Sequence, residues 1–446
     1  MKVKKITIRN FRGFASYEAE MPTNMTVVIG NNTSGKTTFL QALQVGLGAY
    51  LQSLKTLPGG KAYRRNFKSS DRLLAFDREK KDYFPLEERT KISIDAEMAD
   101  TINMSGRQCS LHFVPISWYR EMTEKDSTLF NASCAGELME FVERLEYRRQ
   151  RENDNCILPV VLSFGTDRID NQYRSARKVK ERLQRIDRAY KAALLDQADF
   201  SSVIDWLRRY DKSVKDGKEF EGTREAFFDA LSKGVPALSE IEFDHGEIEA
   251  VVTVSGKQPQ RHHYSYMSDG FKAMINIVSE IAYRSVQLNG FLGKEAVRMT
   301  PGVVVIDEVD LYLHPHWQRH ILSDLQDAFP QIQFVVTTHS PFIIQSVKEG
   351  QLISLDPGVK EVGEPFKESL EDIAAERMGM DNQLRSKRFN EMVDASTNLF
   401  EALDKGDEQE VETIKSRLDQ IEADFSDDPA YVSMIRLMAK TKVGEQ

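Results

Sequence analysis

Eight residues near the start of the 446-residue chain, Gly30-Asn31-Asn32-Thr33-Ser34-Gly35-Lys36-Thr37, narrow the possible folds more than all the rest. They match GxxxxGK[ST], the phosphate loop. The β-branched run Val27-Val28-Ile29 precedes them, and Thr38-Phe39-Leu40-Gln41-Ala42-Leu43 opens a segment of helical composition. That order of strand, loop and helix turns backbone N–H groups and a helix N-terminus toward one anion. Glycines let the backbone wrap closely, Lys36 would neutralise the β- and γ-phosphates, and the Thr37 hydroxyl would hold Mg2+. ATP and Mg2+ are therefore the expected ligands. Asn31, Asn32, Thr33, Ser34, Gly35, Lys36, Thr37 and Thr38 are their expected contacts. A plain Gly/Asn turn between strand and helix is the competing reading.

The remaining pattern fits an α/β protein of about three units. Short β-rich runs stand at Lys5–Arg9, Lys91–Met98, Ser110–Ile116 and Leu158–Phe164. From Asn171 to Lys233 Gly and Pro are few, and apolar residues recur at three- and four-residue steps, which predicts a helical insertion. Strand patterns return at Ile241–Phe243 and Glu249–Val254, followed by an apolar helix over Phe271–Tyr283. Val303–Ile306 and Phe334–Val336 are continuous apolar runs, as buried parallel strands require. Four segments result. Residues 1–120 form a lobe with the phosphate loop, and 121–239 are mostly helical with one sheet strand near 158–164. Residues 240–360 hold the remaining motifs, and 361–446 form a charged helical region for partner binding or oligomerisation.

No run approaches the ~18 apolar residues of a membrane span. Met1–Phe14 alternates instead of running apolar as a secretory leader does, so a cytoplasmic protein without membrane contact is expected. Cys109, Cys134 and Cys156 lie too far apart for a disulfide framework or a zinc site. With 60 basic and 69 acidic residues the net charge is −9, which excludes a uniformly basic nucleic-acid coat.

A phosphate loop needs a carboxylate for its metal and a group to position water. Val303-Val304-Val305-Ile306-Asp307-Glu308 offers both, Asp307 for Mg2+ and Glu308 as general base. Phe334-Val335-Val336-Thr337-Thr338-His339 ends a second buried strand in an imidazole, at the sheet edge where ligands of open α/β folds gather. Lys36, Glu308 and His339 are thus the expected catalytic set, with Thr37 and Asp307 as metal ligands.

In this order, with Tyr266-Met267-Ser268-Asp269-Gly270-Phe271 between them, the motifs resemble the ABC-type ATPase heads of the RecF, SMC and OLD group. The resemblance implies a P-loop ATPase head built of a mixed β-sheet, flanking helices and an antiparallel β lobe, here with a helical insertion and a helical C-terminal region. It implies hydrolysis of ATP to ADP and phosphate in a homo-oligomer whose heads sandwich the nucleotide. Ser268 and Gly270 would touch the nucleotide of the opposite subunit; otherwise Ser268-Asp269-Gly270 is a turn capping a helix. The Leu-Ser-Gly-Gly-Gln of transporters is replaced by Met267-Ser268-Asp269-Gly270-Phe271, which argues against a transporter. Asn10-Phe11-Arg12-Gly13-Phe14 resembles the opening of these heads, where Arg12 would approach the nucleotide; alone it reads as a β-turn. Leu313-His314-Pro315-His316-Trp317 resembles the segment shaping the subunit-facing loop, with Trp317 expected as a core anchor and not as a base-stacking platform. The two histidines lack the further ligands of a metal site.

The chain between the phosphate loop and the acidic strand is too short for the coiled coil of SMC proteins. The charged tail lacks apolar strands ending in acids, so no nuclease centre of the OLD type is expected. The pattern is most similar to the PtuA ATPases of bacterial Septu anti-phage systems, through Pro159–Arg168, Phe200–Leu207 and the tail. That resemblance implies a separate HNH nuclease of the PtuB kind, acting on DNA and regulated by the ATPase. A RecF-like DNA-repair clamp and an OLD-like ATPase-nuclease are the alternatives. Arg174, Arg177, Lys178, Lys180, Arg182, Arg185 and Arg188 form a basic run that either contacts phosphates or is a solvated helix face, and Arg64, Arg65 and Lys68 are equally open. The acidic tail, Glu408 to Asp428 with Ile414, Leu418, Ile421 and Phe425 interleaved, either docks a protein partner or packs back on its own head.

Overall fold

The alternating opening of the chain pairs with itself: β1 (Lys2–Phe11) and β2 (Phe14–Glu20) run antiparallel and turn through Arg12 and Gly13. The wholly buried β3 (Met25–Ile29) enters the phosphate loop and the helix Lys36–Ser53. A small hairpin of β4 (Leu74–Asp77) and β5 (Asp82–Pro85) follows, then a long one of β6 (Lys91–Ser105) and β7 (Gln108–Met122), edged by β8 (Thr128–Leu129). After the helix Ala132–Arg151 come β9 (Val160–Phe164) and the helices Arg185–Tyr190, Phe200–Lys215 and Thr223–Gly234. A meander of β10 (Leu238–Asp244), β11 (Glu247–Val252) and β12 (Gln260–His263) leads to the helix Asp269–Asn289. β13 (Gly302–Ile306), β14 (Ile332–Thr337) and β15 (Leu352–Ser354) alternate with the short helices Ile321–Ala328 and Pro341–Gln345.

This computed structural model describes residues 1–57, 63–86, 88–105, 108–151, 156–168, 184–196, 199–254, 256–356 and 363–379. Met1–Ile373 is one compact unit and Ala374–Gln446 a second. Among the described residues no helix is long and apolar enough to cross a membrane.

The apolar runs pair as a parallel sheet in the order β15-β3-β14-β13-β9, with Val304 opposite Phe334 on one side and Leu162 on the other. Every residue of β3, β9, β13 and β14 is buried, which is why those stretches are mostly apolar, with only Thr26, Ser163, Gln333 and Thr337 polar. All five strands point the same way, so the loops that follow them emerge at one edge. The antiparallel sheet β2-β1-β6-β7-β8 packs on the phosphate-loop helix. Trp118 Nε1 donates to the Gly46 carbonyl at 2.9 Å. The fully buried Arg120 donates to Val45 O at 2.8 Å, Gln52 Oε1 at 2.9 Å and Asn66 Oδ1 at 2.7 Å, and burial pushes its pKa down to about 9.

Of the basic run, residues 174–182 lie outside the described residues, as does the acidic tail from 408 to 428. Arg185 donates to Val286 O at 2.9 Å and lies 4.7 Å from the centre of the Phe220 ring, so it serves packing and not a free phosphate-binding face. Arg65 is likewise committed, pairing with the buried Asp71 at 2.9 Å.

The helix Asp269–Asn289 is buried on nearly every side and carries a charge pair inside: Arg284 Nη2 lies 2.6 Å from Glu280 Oε1. Arg284 also donates to Ala189 O at 2.6 Å and Lys191 O at 3.0 Å, while Glu280 Oε2 accepts from Asp199 N at 3.0 Å. Removing one partner leaves the other charged and unpaired in a dry site. Arg284→Met should therefore lower unfolding stability by about 3–5 kcal/mol in urea titrations. Arg284→Met combined with Glu280→Gln should recover a large part of that loss.

Candidate nucleotide site

The phosphate loop leaves β3 and ends at Gly35, whose φ of 100° is left-handed and whose Cβ, if present, would lie 3.0 Å from the Phe14 ring. The turn Asn10–Phe14 is thereby seated against the loop. Lys36 Nζ donates to Gly30 O at 2.7 Å and Asn31 O at 2.9 Å, holding the ammonium inside the loop. Burial lowers the Lys36 pKa, opposed by the charges of Asp356, Asp307, Glu308 and Asp310. Ser34 Oγ is buried with no hydrogen-bond partner among the described residues, an orphaned polar atom that a phosphate oxygen can satisfy.

Three loops meet at Asp307. Thr37 Oγ1, from the phosphate-loop helix, donates to Asp307 Oδ2 at 2.9 Å. Thr337 Oγ1, from the end of β14, donates to Asp307 Oδ1 at 2.6 Å and accepts the Glu308 N–H at 2.7 Å. A hydroxyl and a carboxylate thus face one point, and both are hard oxygen donors of the kind Mg2+ takes. Among the described residues no group of three His, Cys, Asp or Glu side chains could hold an ion alone, so phosphate and water oxygens would have to complete its shell. These residues fit a nucleotide-bound metal.

Glu308 has a φ of 48°, in the left-handed region that a β-carbon disfavours. Its carbonyl accepts a hydrogen bond from Nη2 of Arg168, a residue only 1% exposed on the loop after β9. Asp310 Oδ1 accepts from Thr338 Oγ1 at 2.6 Å and from the His339 N–H at 3.4 Å, which fixes the segment carrying the half-buried imidazole. Asp356, following β15, takes the Asn31 N–H on Oδ2 at 2.6 Å.

Lys36, Thr37, Asp307, Glu308 and His339 therefore share one sheet edge, on the loops after β3, β13 and β14. Ser268 and Gly270 head a different element. Ser268 is the N-cap residue of its helix, yet its side chain makes no capping bond and stays exposed. A Cβ on Gly270 would come within 2.8 Å of the Tyr312 carbonyl, so this position admits only glycine without displacing the loop after the acidic pair. Trp317 is half-buried and meets Phe271 at a ring distance of 4.4 Å; it braces the surface of this helix and is not the core anchor its residue type suggested. Arg12, with a φ of 50°, donates Nε to Asp71 Oδ1 at 2.9 Å, so a buried carboxylate braces it beside the loop.

Sequence reasoning missed Asp71, Arg168, Asp310, Thr337 and Asp356. Thr337 and Asp310 left a signal, a second hydroxyl before His339 and a third acid after Asp307. The others act on residues distant in the chain.

Residues 1–133 match a family described as "AAA ATPase domain", and residues 164–345 match "AAA domain, putative AbiEii toxin, Type IV TA system". The retron Vc95 probable ATPase of Vibrio cholerae serotype O1 biovar El Tor is 24% identical over 404 residues, 79% of this chain and 73% of that protein. The Septu protein PtuA of Bacillus thuringiensis is 30% identical over 173 residues, 35% of this chain and 41% of PtuA. The chain thus carries ATPase domains of the AAA type in both halves of its head. Among solved structures, the SMC head domain from Thermotoga maritima aligns with a TM-score of 0.41 and 13% identity, over 81% of this ATPase and 97% of that chain.

Beside Ser268 this ATPase has a largely apolar cavity of about 840 Å3, lined by Phe271, Met274, Trp317, Ile321 and the polar His314, His320 and Asp324. Burial, and then the charge of Asp327, pushes Asp324 up to about 7. The folded state thus holds a proton that the unfolded chain releases near pH 4, and stability falls as pH rises from about 4 to 7. Asp324→Asn, neutral throughout, should gain melting temperature relative to the parent at pH 8 and gain little at pH 4.

Proposed function

We propose that two copies of this ATPase close head to head on ATP and Mg2+, each phosphate loop facing the partner's Ser268 and Gly270. The observation that carries the reading is the hydrogen-bonded set Thr37, Asp307 and Thr337 beside a lysine held in the loop. Loop N–H groups and Lys36 bind the phosphates, and Arg12 reaches them from the adjoining turn. Thr37 and Asp307 would hold Mg2+, which would neutralise charge on the phosphate oxygens. Glu308 accepts a proton from the attacking water while the oxygen bonds to the γ-phosphorus. The bond to the β-phosphate oxygen breaks, ADP leaves with that electron pair, and His339 steadies the γ-phosphoryl oxygens.

The likeness to a retron ATPase and to PtuA supports a place in anti-phage defence, as the nucleotide-sensing subunit of a cytoplasmic complex. An HNH nuclease partner carries the chemistry on DNA, and ATP-driven assembly regulates it.

Glu308→Gln should bind ATP with ordinary affinity, accumulate as an ATP-bound dimer in sedimentation, and lose about 10²–10⁴-fold in turnover. Unchanged turnover in that variant defeats the site assignment. Lys36→Ala should abolish ATP binding in calorimetry. The partner assignment fails if the native complex, purified through this chain, contains no HNH protein.

A further inference from the structure

We infer that Tyr264, Asn276 and Arg168 form a buried relay through which the Ser268 segment of each subunit sets the backbone of its own Glu308. The inference rests on the sandwich reading above. Tyr264 opens the turn Tyr264–Tyr266, closed by the Met267 N–H on Tyr264 O at 3.1 Å, one residue before Ser268. Its ring stacks on Phe200 at 4.6 Å, and its hydroxyl donates to Asn276 Oδ1 at 2.8 Å. Asn276 Nδ2 donates in turn to the Arg168 carbonyl at 3.0 Å, and Arg168 Nη2 donates to the Glu308 carbonyl. Tyr264, Asn276 and Arg168 are 6%, 0% and 1% exposed, so water does not compete for these bonds.

Glu308 stands at the end of this chain in a left-handed conformation, with Thr337 on its N–H and Arg168 on its C=O. A carboxylate on such a peptide turns when either hold is released, because the backbone then relaxes toward negative φ. Arg168 is suited to release it. Its Nε and Nη1 have no hydrogen-bond partner among the described residues, so the bond from Nη2 to the Glu308 carbonyl is the one described side-chain hold that a shift of the guanidinium has to break.

In a sandwich dimer the two ends of the relay serve different nucleotides. Ser268 touches the partner's ATP, and Glu308 acts on its own. Occupation of one site is thereby reported to the other, and turnover is positively cooperative in ATP.

Two variants test this, Asn276→Leu, which is close in volume, and Tyr264→Phe, which removes one hydroxyl. Each should bind ATP within about twofold of the parent and dimerise on a non-hydrolysable analogue at the same protein concentration. Each should lose about tenfold in turnover, ~1.4 kcal/mol of barrier, and show a Hill coefficient reduced to about 1. Retention of the parent's cooperativity in Tyr264→Phe overturns the relay even if Asn276→Leu fails to fold. So does loss of assembly together with turnover, which marks a structural role. A parent Hill coefficient of about 1 overturns the relay and leaves the sandwich standing, whereas a parent that neither binds ATP nor pairs defeats both.

Discussion

The carboxylate of Asp307 ties together segments 270 and 30 residues apart in sequence, through Thr37 on one oxygen and Thr337 on the other. Both bonds fall at the carboxyl ends of buried parallel strands, so the central sheet must be in register before either can form. β13 places Asp307, β14 places Thr337, and β3 with its loop places Thr37. A slip of one residue in any strand would turn these side chains to the opposite face of the sheet. Continuous burial of the three strands therefore does more than stabilise the head; it sets the positions of the hydroxyls and the carboxylate that would hold a metal.

The surrounding architecture restricts how this edge can move. The antiparallel lobe is fastened to the phosphate-loop helix through Trp118 and Arg120, both of which donate to carbonyls of that helix. The helix that begins at Asp269 is held to the preceding helices by Glu280 and Arg284, and to the loop after β9 by Asn276. The segment headed by Ser268 thus belongs mechanically to the lobe that also carries Arg168. Displacement of its N-terminal turn is passed inward through hydrogen bonds of fixed length, with little freedom for side chains to absorb it.

Much of this site was legible because its parts are local in sequence. A phosphate loop between strand and helix, an apolar run ending in two acids, and another ending in a histidine each declare themselves within ten residues. Runs such as Val303–Ile306 read as buried parallel strands because a strand covered on both faces leaves few positions for a polar side chain. The hairpin of β4 and β5 was not legible. Leu74, Phe76, Tyr83 and Phe84 remain exposed there, and the pattern gives no inward face to read. Arg168 was equally hidden, since its partner lies 140 positions away and nothing in its own neighbourhood distinguishes it from a surface arginine. Arg185 shows the converse: a basic run suggested a charged face, but the tertiary fold turned this residue onto an aromatic ring and a backbone carbonyl.

The charge distribution around the loop is the physical ground for a divalent ion in the proposed chemistry. Asp307, Glu308, Asp310 and Asp356 all act on Lys36, and they raise the pKa that burial lowers. The same carboxylates would repel a triphosphate approaching the loop. Lys36 offsets one charge, Arg12 is already paired with Asp71, and Arg168 is turned to a carbonyl behind the acidic pair, so these cations cannot by themselves balance both the acids and the incoming phosphates. A metal bound by Thr37 and Asp307 would reverse the sign of the field where the phosphates sit, and would join the acids to the nucleotide instead of opposing it. The acidic edge is therefore consistent with a site that takes its substrate together with its ion.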